Sequence, residues 1–331
     1  MMSISAEKMK EIYELVKTPY KYGAVVKEEE YLTDSPSVFW YHDKWYMYYI
    51  MIHKKMEQSG YETHLASSEN LVDWKYEGKV FERTKDNRWD SKQIAGYAAF
   101  CDCHFGGSNI LQPVNQQYYI AYLGGNLNGY ETDPLSIGLS YSDCPIGKFK
   151  RLEKPILAPY DEDAREFEKL TLYKSNMLID EDLVTGYRYV NAYNAKGTDY
   201  KERIYLAVSD DGEHWERYLN KPIIDGTQED ETLKISGDPQ IVKIDDIYVM
   251  FFFRMIQGGG AFNTFACSEN LVDWTIWNGK PLIESEYEWE NVFAHKSYVV
   301  KHNQIVYHYY CAVNDKGERF IALATSEELL K

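Results

Sequence analysis

Apolar and aromatic residues come along this chain in short runs, paired across two or more turn residues. The runs at 37–41 and 44–49 flank His42-Asp43. Equivalent pairs are 109–111 with 117–122, 176–179 with 187–193, 240–244 with 247–253, and 297–301 with 304–310. β-branched and aromatic runs bounded by polar turns predict strands joined in hairpins. A third strand is predicted after each hairpin, at 63–66, 136–139, 204–207, 264–266 and 320–323. Ahead of them all, Met9, Ile12, Tyr13 and Val16 recur at helical spacing. Ser3 or Ser5 stands where a cap is needed, and Pro19 where the helix must stop.

A repeated phrase follows the third strands. Ala66-Ser67-Ser68-Glu69-Asn70-Leu71-Val72-Asp73-Trp74 returns as Ala266-Cys267-Ser268-Glu269-Asn270-Leu271-Val272-Asp273-Trp274. A looser copy runs from Ala207 to Trp215, and weaker ones lie at 140–149 and 324–329. Repetition at this spacing marks an array of similar units. The Trp of three copies opens a short outer strand, which makes four strands per unit, the last unit being shortened. Five four-stranded antiparallel sheets around a channel predict an all-β fold, a five-bladed β-propeller over residues 31–331. A short N-terminal helix and lead-in occupy 1–30. A β-sandwich would leave the repeated phrase without a reason.

The net charge of -16 over 331 residues argues against a nucleic-acid partner, which needs a basic face. No apolar run approaches the ~20 residues of a membrane span. Met1-Met2-Ser3-Ile4-Ser5 lacks the basic and apolar regions of a signal peptide, and the five Cys are scattered and odd in number. A reduced, cytoplasmic setting is expected. Cys101-Asp102-Cys103-His104 lacks the two-residue gap and second pair of a zinc site. With 30 Tyr and 8 Trp, most aromatics must pack between sheets, and the remainder suit a sugar-binding cleft.

Asp34-Ser35-Pro36-Ser37-Val38-Phe39-Trp40-Tyr41, followed by Lys44-Trp45-Tyr46-Met47-Tyr48-Tyr49, resembles the opening blade of glycoside hydrolase family 43 and its five-bladed relatives, families 117 and 130. The Ser-Glu-Asn-Leu-Val-Asp-Trp phrases resemble the blade-closing motif of those families, and Gly237-Asp238-Pro239-Gln240-Ile241-Val242 is similar to the first blade. The resemblance implies an active site on the axis, where each innermost strand begins. By this count the axial residues are Asp34, Ser108, Lys174, Asp238 and His295. Family 43 implies a carboxylate in blade II and a Glu acid in blade III, where this chain has Ser108 and Lys174. A blade V His is found in family 43, where it can hold a metal or water. In family 117 it is proposed as the acid.

Glycoside hydrolysis needs one group to protonate the leaving oxygen and another to activate water or attack carbon. The expected activity is hydrolysis of short oligosaccharides, exo-acting and inverting. Asp34 would be the base, and Asp238 or His295 the acid or the group that tunes it. Glu168 and Glu290, a few residues upstream of axial positions, are further candidates for the acid. Lys174, Trp40, Ser108, Glu131, Arg254 and Lys296 are candidate substrate contacts. No cofactor is expected, a metal ion beside His295 being the one option the resemblance leaves open. Bland readings compete: an Asp before Pro is often a turn residue, His295 could be a satisfied core His, and Lys174 an ion-pair partner. A glycoside phosphorylase of the family 130 kind, with Lys174, Lys296, Arg254 and Arg203 as anion ligands, is a second activity. A non-catalytic carbohydrate-binding propeller is a third reading, and the oligomeric state stays open.

Overall fold

The computed structural model describes residues 3–55 and 58–329. Met1 and Met2 of the lead-in, Met56 and Glu57, and the closing Leu330 and Lys331 lie outside the described residues. Helix α1 (Ala6–Val16) is capped by Ser5, whose side chain accepts from Lys8 N, and it buries Met9, Ile12 and Val16. Tyr13 stacks on Trp277 at 4.9 Å. It is the one α-helix among the described residues.

The rest is β-structure. After β1 (Tyr20–Val26), a first antiparallel meander contains β2 (Tyr31–Tyr41), β3 (Lys44–His53), β4 (Glu62–Ser68) and β5 (Lys75–Phe81). The second contains β6 (Gln93–Ala98), β7 (Tyr118–Gly125), β8 (Ser136–Ser142) and β9 (Lys150–Arg151). The third contains β10 (Thr171–Ile179), β11 (Tyr189–Lys196), β12 (Glu202–Ser209) and β13 (Glu216–Tyr218). The fourth contains β14 (Leu233–Ile244), β15 (Ile247–Ile256), β16 (Ala261–Ser268) and β17 (Thr275–Ile276). One parallel pairing, Glu202 with Ile235, joins the third and fourth into an eight-stranded sheet. The last contains β18 (Phe293–His302), β19 (Ile305–Val313) and β20 (Arg319–Thr325). Its fourth strand is β1, paired antiparallel to β20. The segment read as a lead-in over 1–30 thus supplies a strand to the last sheet. No strand ladder closes on itself among the described residues.

The first strands touch in a cycle: β2 with β6, β6 with β10, β10 with β14, β14 with β18, and β18 with β2. Apolar cores fill the spaces between neighbouring sheets. Val38, Met47 and Trp45 meet Tyr309, Ile321 and Leu323, and Phe39 and Tyr48 meet Ile120 and Tyr122. Each fully buried aromatic contributes about 1.5–3 kcal/mol, which explains why both faces of these strands are apolar.

The repeated phrase is a turn. Asn70 Oδ1 accepts from Val72 N at 3.0 Å and Asp73 N at 2.8 Å, and Asn270 does the same for Val272 and Asp273. Leu71 and Leu271 sit in left-handed backbone (φ 66° and 62°) with their side chains buried. In the looser copy Asp211 is the acceptor and Gly212 takes the left-handed position without a Cβ penalty.

One strand differs from the sequence reading. The second sheet opens at Gln93, not at Asn109. The run Gln93-Ile94-Ala95-Gly96-Tyr97-Ala98 is rich in small residues and hides its strand character. A Cβ on Gly96 would stand 2.8 Å from Ile120 Cγ2, so the tight sheet contact demands glycine. Residues 99–117 form an excursion that ties the far ends of other sheets: Trp40 N donates to Asn109 O, Phe100 N to Met177 O, and Lys243 N to Cys103 O.

Candidate active site

Four first strands carry a β-bulge at the same level. The register breaks between Asp34 and Ser37, Leu172 and Ser175, Gly237 and Gln240, and His295 and Tyr298. A bulge adds a residue and re-aims its side chain. Ser35, Asp238 and Lys296 adopt φ of 45°, 55° and 55°, a left-handed backbone that costs a non-glycine residue about 1–2 kcal/mol. Pro36 and Pro239 follow directly, and lacking an N–H they suit a break in the ladder.

The bulges bring Asp34, His295, Lys296, Lys174 and Asp238 into mutual electrostatic range. Asp34 is 1 % exposed and saturated with donors. Its Oδ1 accepts Ser35 N at 2.7 Å, and its Oδ2 accepts Arg319 Nη1 at 2.6 Å, Tyr130 Oη at 3.1 Å and Lys296 Nζ at 3.3 Å. Burial works to raise its pKa, but Lys296 and Arg319 outweigh it and hold the carboxyl well below the usual range. Lys296 also donates to Glu131 Oε1 at 2.7 Å, which accepts Tyr61 Oη at 3.1 Å.

Burial, reinforced by Arg319 and Lys296, pushes the His295 imidazole down to about 3, so the ring is neutral at pH 7. Its Nδ1–H donates to the Cys311 carbonyl at 3.2 Å, which leaves Nε2 as an acceptor. Two cationic neighbours do not suit a metal ion beside His295. Among the described residues no three His, Cys, Asp or Glu side chains form a metal-binding group.

Burial raises the pKa of Asp238 against the pull of Lys296 and Lys174. Its backbone N donates to Asn194 Oδ1 at 3.2 Å, while Asn194 Nδ2 donates to Glu202 Oε2 at 2.9 Å. A Cβ on Gly237 would stand 2.9 Å from Asn194 Nδ2, so glycine leaves room for this bridge. Burial first, then the charge of Glu131, pushes Glu202 up to about 8.

Ser108, Trp40 and Arg254 are not part of this network. Ser108 lies in the 99–117 excursion and donates to Asp102 at 2.5 Å; its sequence assignment rested on the misplaced strand. Trp40 is six residues along β2 from Asp34, about 20 Å at strand rise, and packs edge-on against Trp45. Arg254 donates to Glu229 at 2.9 Å. Glu168 and Glu290 have structural partners. Glu168 binds Arg165 at 2.8 Å, Arg217 at 3.1 Å and the Tyr193 hydroxyl, and Glu290 binds Lys21 and Tyr310. Asp90, with Arg88, Arg151 and Tyr122, repeats that pattern in the second sheet.

Sequence reasoning missed Arg319, Tyr130 and Glu202, and also Tyr97, whose ring lies 5.5 Å from Lys174 Nζ. Glu202 and Arg319 each open a third strand after a polar turn, where a charge reads as solvent-facing. Glu62 opens β4 in the same way, and that recurrence was the available signal.

No protein-family model matches the chain. A solved structure of a glycoside hydrolase is 41% identical and superposes with a TM-score of 0.93, covering 99% of this chain and 97% of its own. A solved BT0996 complex with RGII is 42% identical over the same shares, with a TM-score of 0.94. A 1,2-β-oligomannan phosphorylase of Thermoanaerobacter sp. (strain X514) is 36% identical over 135 residues, 38% of this chain. The match spans 43% of that phosphorylase, less than half its length. Family 43, 117 and 130 structures share the fold at 16%, 14% and 14% identity, with TM-scores of 0.63, 0.66 and 0.64. The fold is the one these glycoside hydrolases share. The chain belongs to the glycoside hydrolases.

Proposed function

We propose that this chain is a five-bladed β-propeller glycosidase that removes a terminal sugar from a short oligosaccharide. The single observation behind this reading is a pair of carboxyls in opposed environments. Glu202, buried and pushed up to about 8, keeps its proton at pH 7 and suits the general acid. Glu131, ion-paired to Lys296 at 2.7 Å, suits the carboxylate that activates water. Environments that differ in this way assign acid and base.

Asp34, expected as the base, is better suited to anchoring Lys296 and Arg319, because every approach to its oxygens is taken by a donor. His295, neutral and bonded to a carbonyl, is better suited to accepting a hydrogen bond from substrate than to giving a proton. The cycle of contacts between first strands supports five blades around one axis. The 99–117 excursion, which ties together strand ends remote from Asp34, supports a blind pocket and hence exo action. Inversion is the expected stereochemistry, and proton NMR of the first anomer released reads it. RGII oligosaccharide is the first substrate to assay and 1,2-β-oligomannan the second. Absence of sugar release from both, alongside a panel of aryl glycosides, refutes the hydrolase reading.

Phosphorolysis is the second reading, favoured by the oligomannan phosphorylase relative and by Lys174, Lys296 and Arg319 near the axis. Arg203 and Arg254 are held by Asp199, Asp225 and Glu229, which argues against them as phosphate ligands. Turnover that requires inorganic phosphate and yields a sugar phosphate would establish this reading over hydrolysis.

A further inference from the structure

Lys174 and Asp238 are 2 % and 5 % exposed, and Lys174 Nζ and Asp238 Oδ2 have no hydrogen-bond partner among the described residues. A buried charge without a partner is expensive, and the simplest relief would be a bond between these two. That bond is absent although Asp238 is the foremost charge acting on Lys174, and Lys174 acts on Asp238 second only to Lys296. Both are fixed in place. The Lys174 ammonium lies between two rings, 5.5 Å from Tyr97 and 6.0 Å from Tyr298. Asp238 is set by its bulge, with φ 55° and its N–H on Asn194. The pair therefore presents one strong donor and one strong acceptor that do not meet.

We propose that Lys174 Nζ and Asp238 Oδ2 form a two-point receptor for adjacent free hydroxyls of the sugar ring bound at the axis; this rests on the glycosidase reading above. A hydroxyl is both acceptor and donor, so one oxygen takes the ammonium proton and its neighbour gives a proton to the carboxylate. A sugar lacking either hydroxyl leaves a buried charge unmatched, and sites of this kind reject such analogues strongly. A phosphate would satisfy Lys174 but face Asp238 with like charge. The receptor thus selects a neutral ring with vicinal hydroxyls over a deoxy sugar or an anionic group at this point.

The test is calorimetric titration with D-mannose, L-arabinose, D-xylose and D-galactose at millimolar concentration. The 2-deoxy and 3-deoxy counterparts of whichever sugar binds follow. The expected result is one deoxy sugar binding about 10- to 100-fold more weakly than its parent. Lys174→Met and Asp238→Asn should each bind parent and deoxy sugar nearly alike, with melting temperatures showing that both variants are folded. A deoxy penalty that persists in both variants overturns the proposal, as does failure of all four parent sugars to bind. Glu202→Gln separates the two readings. It should keep the deoxy penalty while losing turnover, whereas turnover retained there refutes the acid assignment and leaves the receptor standing.

Discussion

Replacing Glu202 with Gln keeps the side chain's shape and its acceptor for Asn194 Nδ2 but removes the proton it can give. If Glu202 protonates the leaving oxygen, the variant should lose about 10²- to 10⁴-fold in kcat on an unactivated oligosaccharide. The loss should be smaller with an aryl glycoside whose leaving group needs no proton. The same residue makes a stability prediction. Its carboxyl moves from an ordinary 4.5 to about 8 on folding. Between those values the folded chain holds a proton that the unfolded chain releases, so wild-type stability is full below pH 4.5 and falls as pH rises towards 8. At 1.36 kcal/mol per pH unit the loss has a ceiling of about 5 kcal/mol. Gln has nothing to ionise. For a chain of this length that is a gap of up to about 7 °C in melting temperature, favouring Glu202→Gln at pH 8.5 and nearly absent at pH 5. Initial rates from pH 5 to 9 on the wild type should also fall as pH passes about 8. A variant that keeps a tenth of its activity, or a melting gap equal at both pH values, refutes the reasoning.

Asp34→Asn should cost about 3–5 kcal/mol in urea denaturation and abolish turnover, because Lys296 and Arg319 lose the charge that holds them. With its pKa held low, Asp34 stabilises the fold above the ordinary carboxylate range, and that contribution should fade only in strong acid. His295 should show a neutral Nδ1–H tautomer by nitrogen NMR from pH 5 to 9, and activity should have no limb near 6.5. Glu168→Gln should lower stability by about 3–5 kcal/mol yet keep kcat at temperatures where it is folded, since its carboxylate serves Arg165 and Arg217. A loss of kcat in folded Glu168→Gln would return that residue to the list of candidate acids.

Where strand character lies in β-branched and aromatic runs, the sequence displayed it plainly. The hairpins 37–49, 240–253 and 297–310 fall inside β2–β3, β14–β15 and β18–β19. Ser5, Met9, Ile12 and Val16 behave as their spacing predicts. β6 was hidden because close packing there selects Gly96 and Ala residues, which carry no strand signal. The site was legible where it lies on a first strand beside a proline or at a repeat boundary, as with Asp34, Lys174, Asp238 and His295. It was not legible where partners come from other strands. Asn194, Glu202 and Arg319 meet that cluster only through sheet register, and Tyr130 reaches Asp34 from the loop between β7 and β8; no local pattern distinguishes a strand-opening charge that turns inward from one that faces water.

The pairing of β1 with β20 has a consequence for the order of events during synthesis. Tyr20 pairs with Thr325, so a strand made early stays without its neighbour until some three hundred further residues have been added. Throughout that interval β1 is a bare edge, open to adventitious pairing with any other extended segment. The last sheet can form only after Thr325 has left the ribosome, and Arg319, on β20, reaches Asp34 at the same moment. Assembly of the candidate site is therefore tied to synthesis of β20, and a product terminated before that strand would lack both the clasp and the cation.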